Sequence, residues 1–144
     1  MGGTDVIRDV LAVLAEGRAF AESLMTATWR IERQVKDASG KPVSTVVNHK
    51  TIPVREVVHE GRAKLQTYEG HEVALPAGGA TVVQQRMSLH LPVHAFRPLP
   101  GDVATCLAST DPLMVGKRVR VVQAAPFKEH ATAYRVFVDE LMEG

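Results

Sequence analysis

The feature that most constrains this chain is a change of hydrophobic period at Thr26. From Asp5 to Met25 the apolar residues Val6, Val10, Val13, Phe20 and Leu24 recur at steps of four and three, with Gly17 filling the missing place. That is the period of an α-helix. Beyond Thr26 the period falls to two and stays there, the spacing of strands whose successive side chains point to opposite faces. A chain that makes this switch once and never returns is mainly β with a single N-terminal helix.

The helix is expected over 4–26, with Thr4 as N-cap and Asp5 at the positive end of the helix dipole. Ile7, Leu11, Leu14, Ala21 and Met25 widen its apolar stripe to about half the circumference, more than the roughly 100° needed to pack on one sheet. Gly17 weakens a helix interior by roughly 1 kcal/mol relative to Ala, so it marks a kink or a close approach.

The first strand carries Trp29 and Ile31 toward a core and Thr28, Arg30 and Glu32 away from it. Residues 36–42 form a turn by their Asp, Ser, Gly and Pro content, and short strands follow at about 43–48, 53–58 and 61–67. The glycines and proline of 68–80 mark a long loop. Residues 81–93 then alternate as one strand, with Val83, Met87, Leu89, Leu91 and Val93 on one side and Gln84, Arg86, Ser88 and His90 on the other. A turn at 98–102, a strand at 103–108, a loop around Asp111-Pro112 and strands at 118–123 and 132–140 complete the series. The expected architecture is a small antiparallel β-barrel or sandwich of six to eight strands, one domain over 1–144 with the barrel at 27–141.

Composition narrows the function. The 144 residues carry 17 basic and 16 acidic side chains, a net charge of +1, and one cysteine. A single cysteine excludes an internal disulfide and any zinc site that needs two thiolates. The apolar run 10–15 is far short of the roughly 20 residues of a bilayer span, so neither a secretion signal nor a membrane anchor is expected. His71-Glu72-Val73-Ala74-Leu75 starts like a zinc-protease motif but has Leu75 where the second histidine belongs. His90 and His94 are roughly 13 Å apart on a strand, too far for one metal. Gly116-Lys117-Arg118 lacks the upstream glycine and the Ser or Thr of a phosphate-binding loop, and Cys106 inside an alternating strand is a small core residue. The six histidines are expected to be surface or structural, with no enzyme activity and no cofactor.

Lys117, Arg118, Arg120 and Lys128, with Phe127 beside them, form the most basic cluster. They are the basis of one alternative, a single-stranded nucleic-acid-binding barrel of the OB type. The near-neutral charge weighs against it, because backbone binding normally shows as a basic excess.

Several pieces together resemble the head-to-tail stopper, or head-closure, proteins of long-tailed phages, especially those of actinobacteria. They are residues 14–25 running into Thr28-Trp29-Arg30-Ile31, then Gly61-Arg62-Ala63-Lys64-Leu65-Gln66, Pro76-Ala77-Gly78-Gly79 and residues 85–93. Gly101-Asp102-Val103, residues 109–121 and residues 130–136 follow in the same order and spacing. The resemblance implies a virion protein of the head-tail junction, made in the host cytoplasm. It would form a homo-oligomeric ring between the portal or its adaptor and the tail terminator or tail tube, and close the channel on packaged DNA without reading its sequence. It implies no catalytic site. It makes the 68–80 loop a candidate lumen loop, with Glu69, Gly70, His71, Glu72, Gly78 and Gly79 as its residues. It also makes Val6, Val10, Val13, Phe20 and Leu24 a candidate assembly face, one edge of the stripe packing on the chain's own barrel and the other on a neighbour.

Overall fold

The computed structural model describes residues 3–67, 71–74, 81–84, 87–126 and 131–141, the side chains of 3–5, 71–74 and 81–84 excepted. One helix, α1 (Gly3–Ser23), precedes ten strands: β1 (Ala27–Gln34), β2 (Ser44–Val47), β3 (Lys50–Pro53), β4 (Arg55–Thr67) and β5 (His71–Ala74), then β6 (Thr81–Gln84), β7 (Met87–Leu91), β8 (Val103–Ala108), β9 (Arg118–Gln123) and β10 (Tyr134–Glu140). Six of them close a barrel in the order β1-β4-β7-β10-β9-β8, with β8 returning to β1. Every neighbour in it is antiparallel. The mainly β fold with one N-terminal helix is therefore a closed barrel and not a sandwich.

Alternation fills the barrel. Trp29, Ile31, Leu89, Leu91, Val119, Val121, Val136 and Val138 point into a common core with Ala63, Ala104 and Cys106. The bulkiest of them, Trp29, lies opposite Gly61 on β4 and Cys106 on β8. Small neighbours on both sides make room for the indole. Gly61 is also where a side chain would crowd the His59 ring, 3.0 Å from where its Cβ would stand.

The closing seam is pinned by a buried charge. Asp102, 1% exposed, accepts from Arg33 Nε at 2.9 Å and from a terminal guanidinium nitrogen at 2.8 Å, and from the Leu99 amide at 2.9 Å. This ties the end of β1 to the residue before β8. Its turn is built for the purpose: Pro100 and Gly101 occupy the corners, Gly101 takes φ +94, and the Asp102 amide donates to Leu99 O, the pattern of a type II turn. The Arg33 guanidinium also lies 5.7 Å from the centre of the Phe96 ring, which stacks on His59 at 5.0 Å.

Several sequence expectations change. The helix ends at Ser23, and Met25 is buried beyond it. The expected strands at 53–58 and 61–67 are one strand, β4, whose register slips between its partners Ile31 and Glu32. The expected strand 81–93 is two elements, because β6 leaves the barrel to pair with β5 as a separate hairpin. A second hairpin, β2–β3, turns through Asn48 and His49 at φ 50 and 66, both left-handed as a two-residue hairpin turn demands. The turn at 36–42 is present, with the Asp37 carboxylate accepting from the Ser39 amide and hydroxyl and the Lys41 amide.

Replacing Arg33 with Met should lower the unfolding free energy by about 3 kcal/mol, since it strands a buried carboxylate. Asp102→Asn should cost less, because the amide oxygen still accepts from Leu99. Urea denaturation of both variants measures this, and a loss of less than about 1 kcal/mol for Arg33→Met would mean that the pair is screened by solvent.

Candidate assembly surface

The helix meets its own barrel along a narrow stripe of mostly small residues. Leu14, Gly17 and Ala21 are half-buried and Met25 is buried, a spacing of three and four that marks one line down the helix. Gly17 is a close approach: a side chain there would stand 3.1 Å from the Thr132 methyl group. Arg18 Nε donates to Ala131 O at 2.9 Å, and Arg62 of β4 donates to the Glu22 carboxylate. These contacts all belong to the C-terminal half of α1.

The five residues of the candidate assembly face lie elsewhere. Val6 is 60% exposed, Val13 and Phe20 are each 68% exposed, and Val10 and Leu24 are exposed as well. Ile7 and Leu11 join them, so the N-terminal half of the helix presents apolar side chains on more than one side. Beside it Asp9, Val10, Val13, Leu14, Gly17 and Thr132 line a concavity of about 510 Å³. A contiguous apolar surface of this kind is uncommon on a protein that works as a monomer.

The candidate lumen residues divide. Glu69, Gly70, Gly78 and Gly79 lie outside the described residues. His71 and Glu72 are not in a loop; they open β5, opposite Gln84 and Val83 of β6. Short strands flanked by glycines carry too few alternations to stand out from a loop in the sequence.

The basic cluster is diluted where it is described. Arg118 and Arg120 alternate with the buried Val119 and Val121 on β9 and therefore face outward. Arg120 sits opposite Asp139 on β10, and Lys117 pairs with Glu140 at 3.1 Å. Phe127 and Lys128 lie outside the described residues. Cys106 is buried in the core, and burial pushes its thiol pKa up, away from nucleophilic use. Among the described residues no group of three or more His, Cys, Asp or Glu side chains is placed to hold a metal, and no helix is long and apolar enough to cross a membrane.

One cluster is invisible in the sequence. Ser88 and His90 occupy the outer face of β7, opposite in sense to the inward Leu89 and Leu91, yet both are buried. The C-terminal half of α1 lies over His90 and leaves a groove of about 350 Å³. The Ser88 hydroxyl and His90 Nε2 are 2.8 Å apart. The register places Lys64 of β4 and Arg135 of β10 on either side of His90, so three nitrogen bases form one row across three strands. Burial, and then the charges of Arg135 and Lys64, hold the His90 pKa down to about 4. Period-two reading puts His90 on the wet face; only the helix above it and the strands beside it make the difference.

The depressed pKa has a direction in stability. Between its ordinary value near 6.5 and about 4, His90 binds a proton in the unfolded chain but not in the folded one, so stability falls as pH drops through that window. His90→Gln should remove a loss on the order of 1–3 kcal/mol between neutral and acid pH. Denaturant titrations of wild type and variant from pH 7 to pH 4 read the difference, and parallel profiles would mean that His90 protonates freely in the fold.

Comparison with known proteins is sparse. No curated protein and no solved structure matches the chain. A family model described as a family of unknown function, DUF6093, matches residues 17–139, a span that opens at Gly17, where α1 meets the barrel, and closes within β10. With most of its length inside that match, the chain belongs to the DUF6093 family of unknown function.

Proposed function

We propose that this chain is a structural subunit of a ring, a head-to-tail stopper of the phage neck, in which the apolar face of α1 docks on a neighbouring copy. The observation that carries the reading is that face: Val6, Val10, Val13, Phe20 and Leu24 are all exposed, Phe20 and Leu24 at the rim of the groove over the barrel, on a helix held to that barrel only in its C-terminal half. Burying each such side chain is worth roughly 1.5–3 kcal/mol. An unpartnered stripe of five is a large incentive to associate. In the ring the helix face docks on the neighbour's barrel, a head-to-tail contact of the kind that closes into rings.

The stopper reading adds the resemblance of residues 14–136, in order and spacing, to head-closure proteins. In that reading the ring sits between the portal or adaptor and the tail terminator or tail tube, contacts packaged DNA through its lumen without sequence specificity, and has its place in the virion at the head-tail junction. Near-neutral net charge suits a lumen that DNA must leave again. The acidic neighbours that β10 gives to Arg120 and Lys117, Asp139 and Glu140, favour this over a nucleic-acid-binding barrel.

Val13→Asp should abolish or weaken self-association while shifting the unfolding free energy by no more than about 0.5 kcal/mol, as for an exposed position. Sedimentation of the full chain, alone and with capsids whose necks lack it, tests assembly, and thermal denaturation tests folding. An unfolded Val13→Asp chain would show that the face belongs to the monomer core. A wild-type chain that stays monomeric in both settings would end the ring reading.

A further inference from the structure

We infer that the groove between α1 and the barrel is a docking site for a short peptide segment of a partner protein in which carboxylates alternate with apolar side chains. Its floor is the row Lys64, His90 and Arg135, set side by side by the β4–β7 and β7–β10 registers. Its walls are Phe20, Leu24 and Met25. The occupant's chemistry follows from what this lining lacks as well as from what it offers.

Two permanent cations flank His90, one on each neighbouring strand. Nothing described in the groove offsets them. None of its described lining residues is acidic, and the ion pairs of the described residues involve neither Lys64 nor Arg135. Glu22, next to Ala21 on the helix, is engaged by Arg62. The two cations therefore have open capacity for an anion: Lys64 is half-buried and Arg135 is exposed at the edge of the groove, and charge-assisted hydrogen bonds to a carboxylate are the stronger kind.

The walls decide which anion. Phe20 and Leu24 are exposed at the rim, and an inorganic anion or a sugar-phosphate backbone would leave them in water. A carboxylate beside a leucine or phenylalanine covers them and meets the cations at once. The volume of about 350 Å³ is at the lower end of what ligand sites use, enough for two or three side chains of a peptide. This inference goes beyond the ring reading and stands on the groove's own chemistry.

The test is fluorescence anisotropy on the full chain with a labelled peptide of alternating leucine and glutamate, the same peptide with glutamine for glutamate, and labelled oligothymidine. The acidic peptide should bind at least about tenfold more tightly than its glutamine counterpart and weaken steeply with salt. Lys64→Gln and Arg135→Gln should each lose about fivefold or more in affinity, while Lys50→Gln, on the β2–β3 hairpin, should bind as wild type does. Equal binding of the two peptides, no binding, or affinities untouched by Lys64→Gln and Arg135→Gln would overturn the inference. Oligothymidine that binds more tightly and depends on the same two residues would overturn it in favour of a nucleic-acid site. Sedimentation of the same variants separates this from assembly: rings that persist without peptide binding leave the ring reading standing and remove only the groove's.

Discussion

Closure of the barrel along β1 and β8 is the constraint on which the rest of this structure depends. The two strands are far apart in sequence, and the Arg33–Asp102 contact spans 69 residues. Joining them requires the chain entropy of that whole loop to be overcome. What it gains is a sheet without edges among its six strands, which removes the unpaired backbone that an open sheet would expose. Asp102 serves the seam three ways at once. It receives the guanidinium of β1, fixes the Leu99–Asp102 turn, and leaves β8 starting in register opposite Glu32.

Once closed, the barrel is complete without the helix. Its core is drawn from its own strands and their adjoining loops, and the cost visible inside it is small. The Trp29 indole N–H is buried with no partner, a penalty of about 1–3 kcal/mol, set against an aromatic side chain that fills the space between Gly61 and Cys106. Helix α1 is laid on afterwards through Gly17, Ala21 and Met25. Small residues let it lie close to β7 and the 131–133 segment, but they also limit how much apolar surface the contact hides. The large apolar residues of the helix are accordingly left outside it.

How much of this was legible in the sequence follows from the range of each interaction. The switch of period at Thr26, the buried Cys106, the turns at Asp37 and Gly101 and the inward Trp29 and Ile31 are local patterns, and each is where the sequence places it. Closure, the slip opposite Ile31 and Glu32, and the departure of β6 from the barrel depend on pairing between distant strands, which alternation alone does not encode. His90 shows the limit most plainly. Its position in the alternation is polar and outward, and it is outward; it is buried because a helix some seventy residues earlier covers it. The candidate assembly-face residues are the reverse case. Their spacing marks a stripe wide enough for two partners, but which edge lies against the barrel is decided by Gly17 and Thr132.

A barrel of six strands has no room for a passage. Its interior is occupied by Trp29, Leu89, Leu91 and the valines of β9 and β10, as expected when small barrels are filled by their own side chains. Anything that this protein conducts, blocks or grips must therefore be met on outer faces: on the helix, on the two hairpins, or in the groove over His90. A single copy offers those faces without enclosing anything. In the proposed ring, a channel would therefore lie between copies, and the way α1 docks on its neighbour would decide the bore and which outer strand or hairpin lines it.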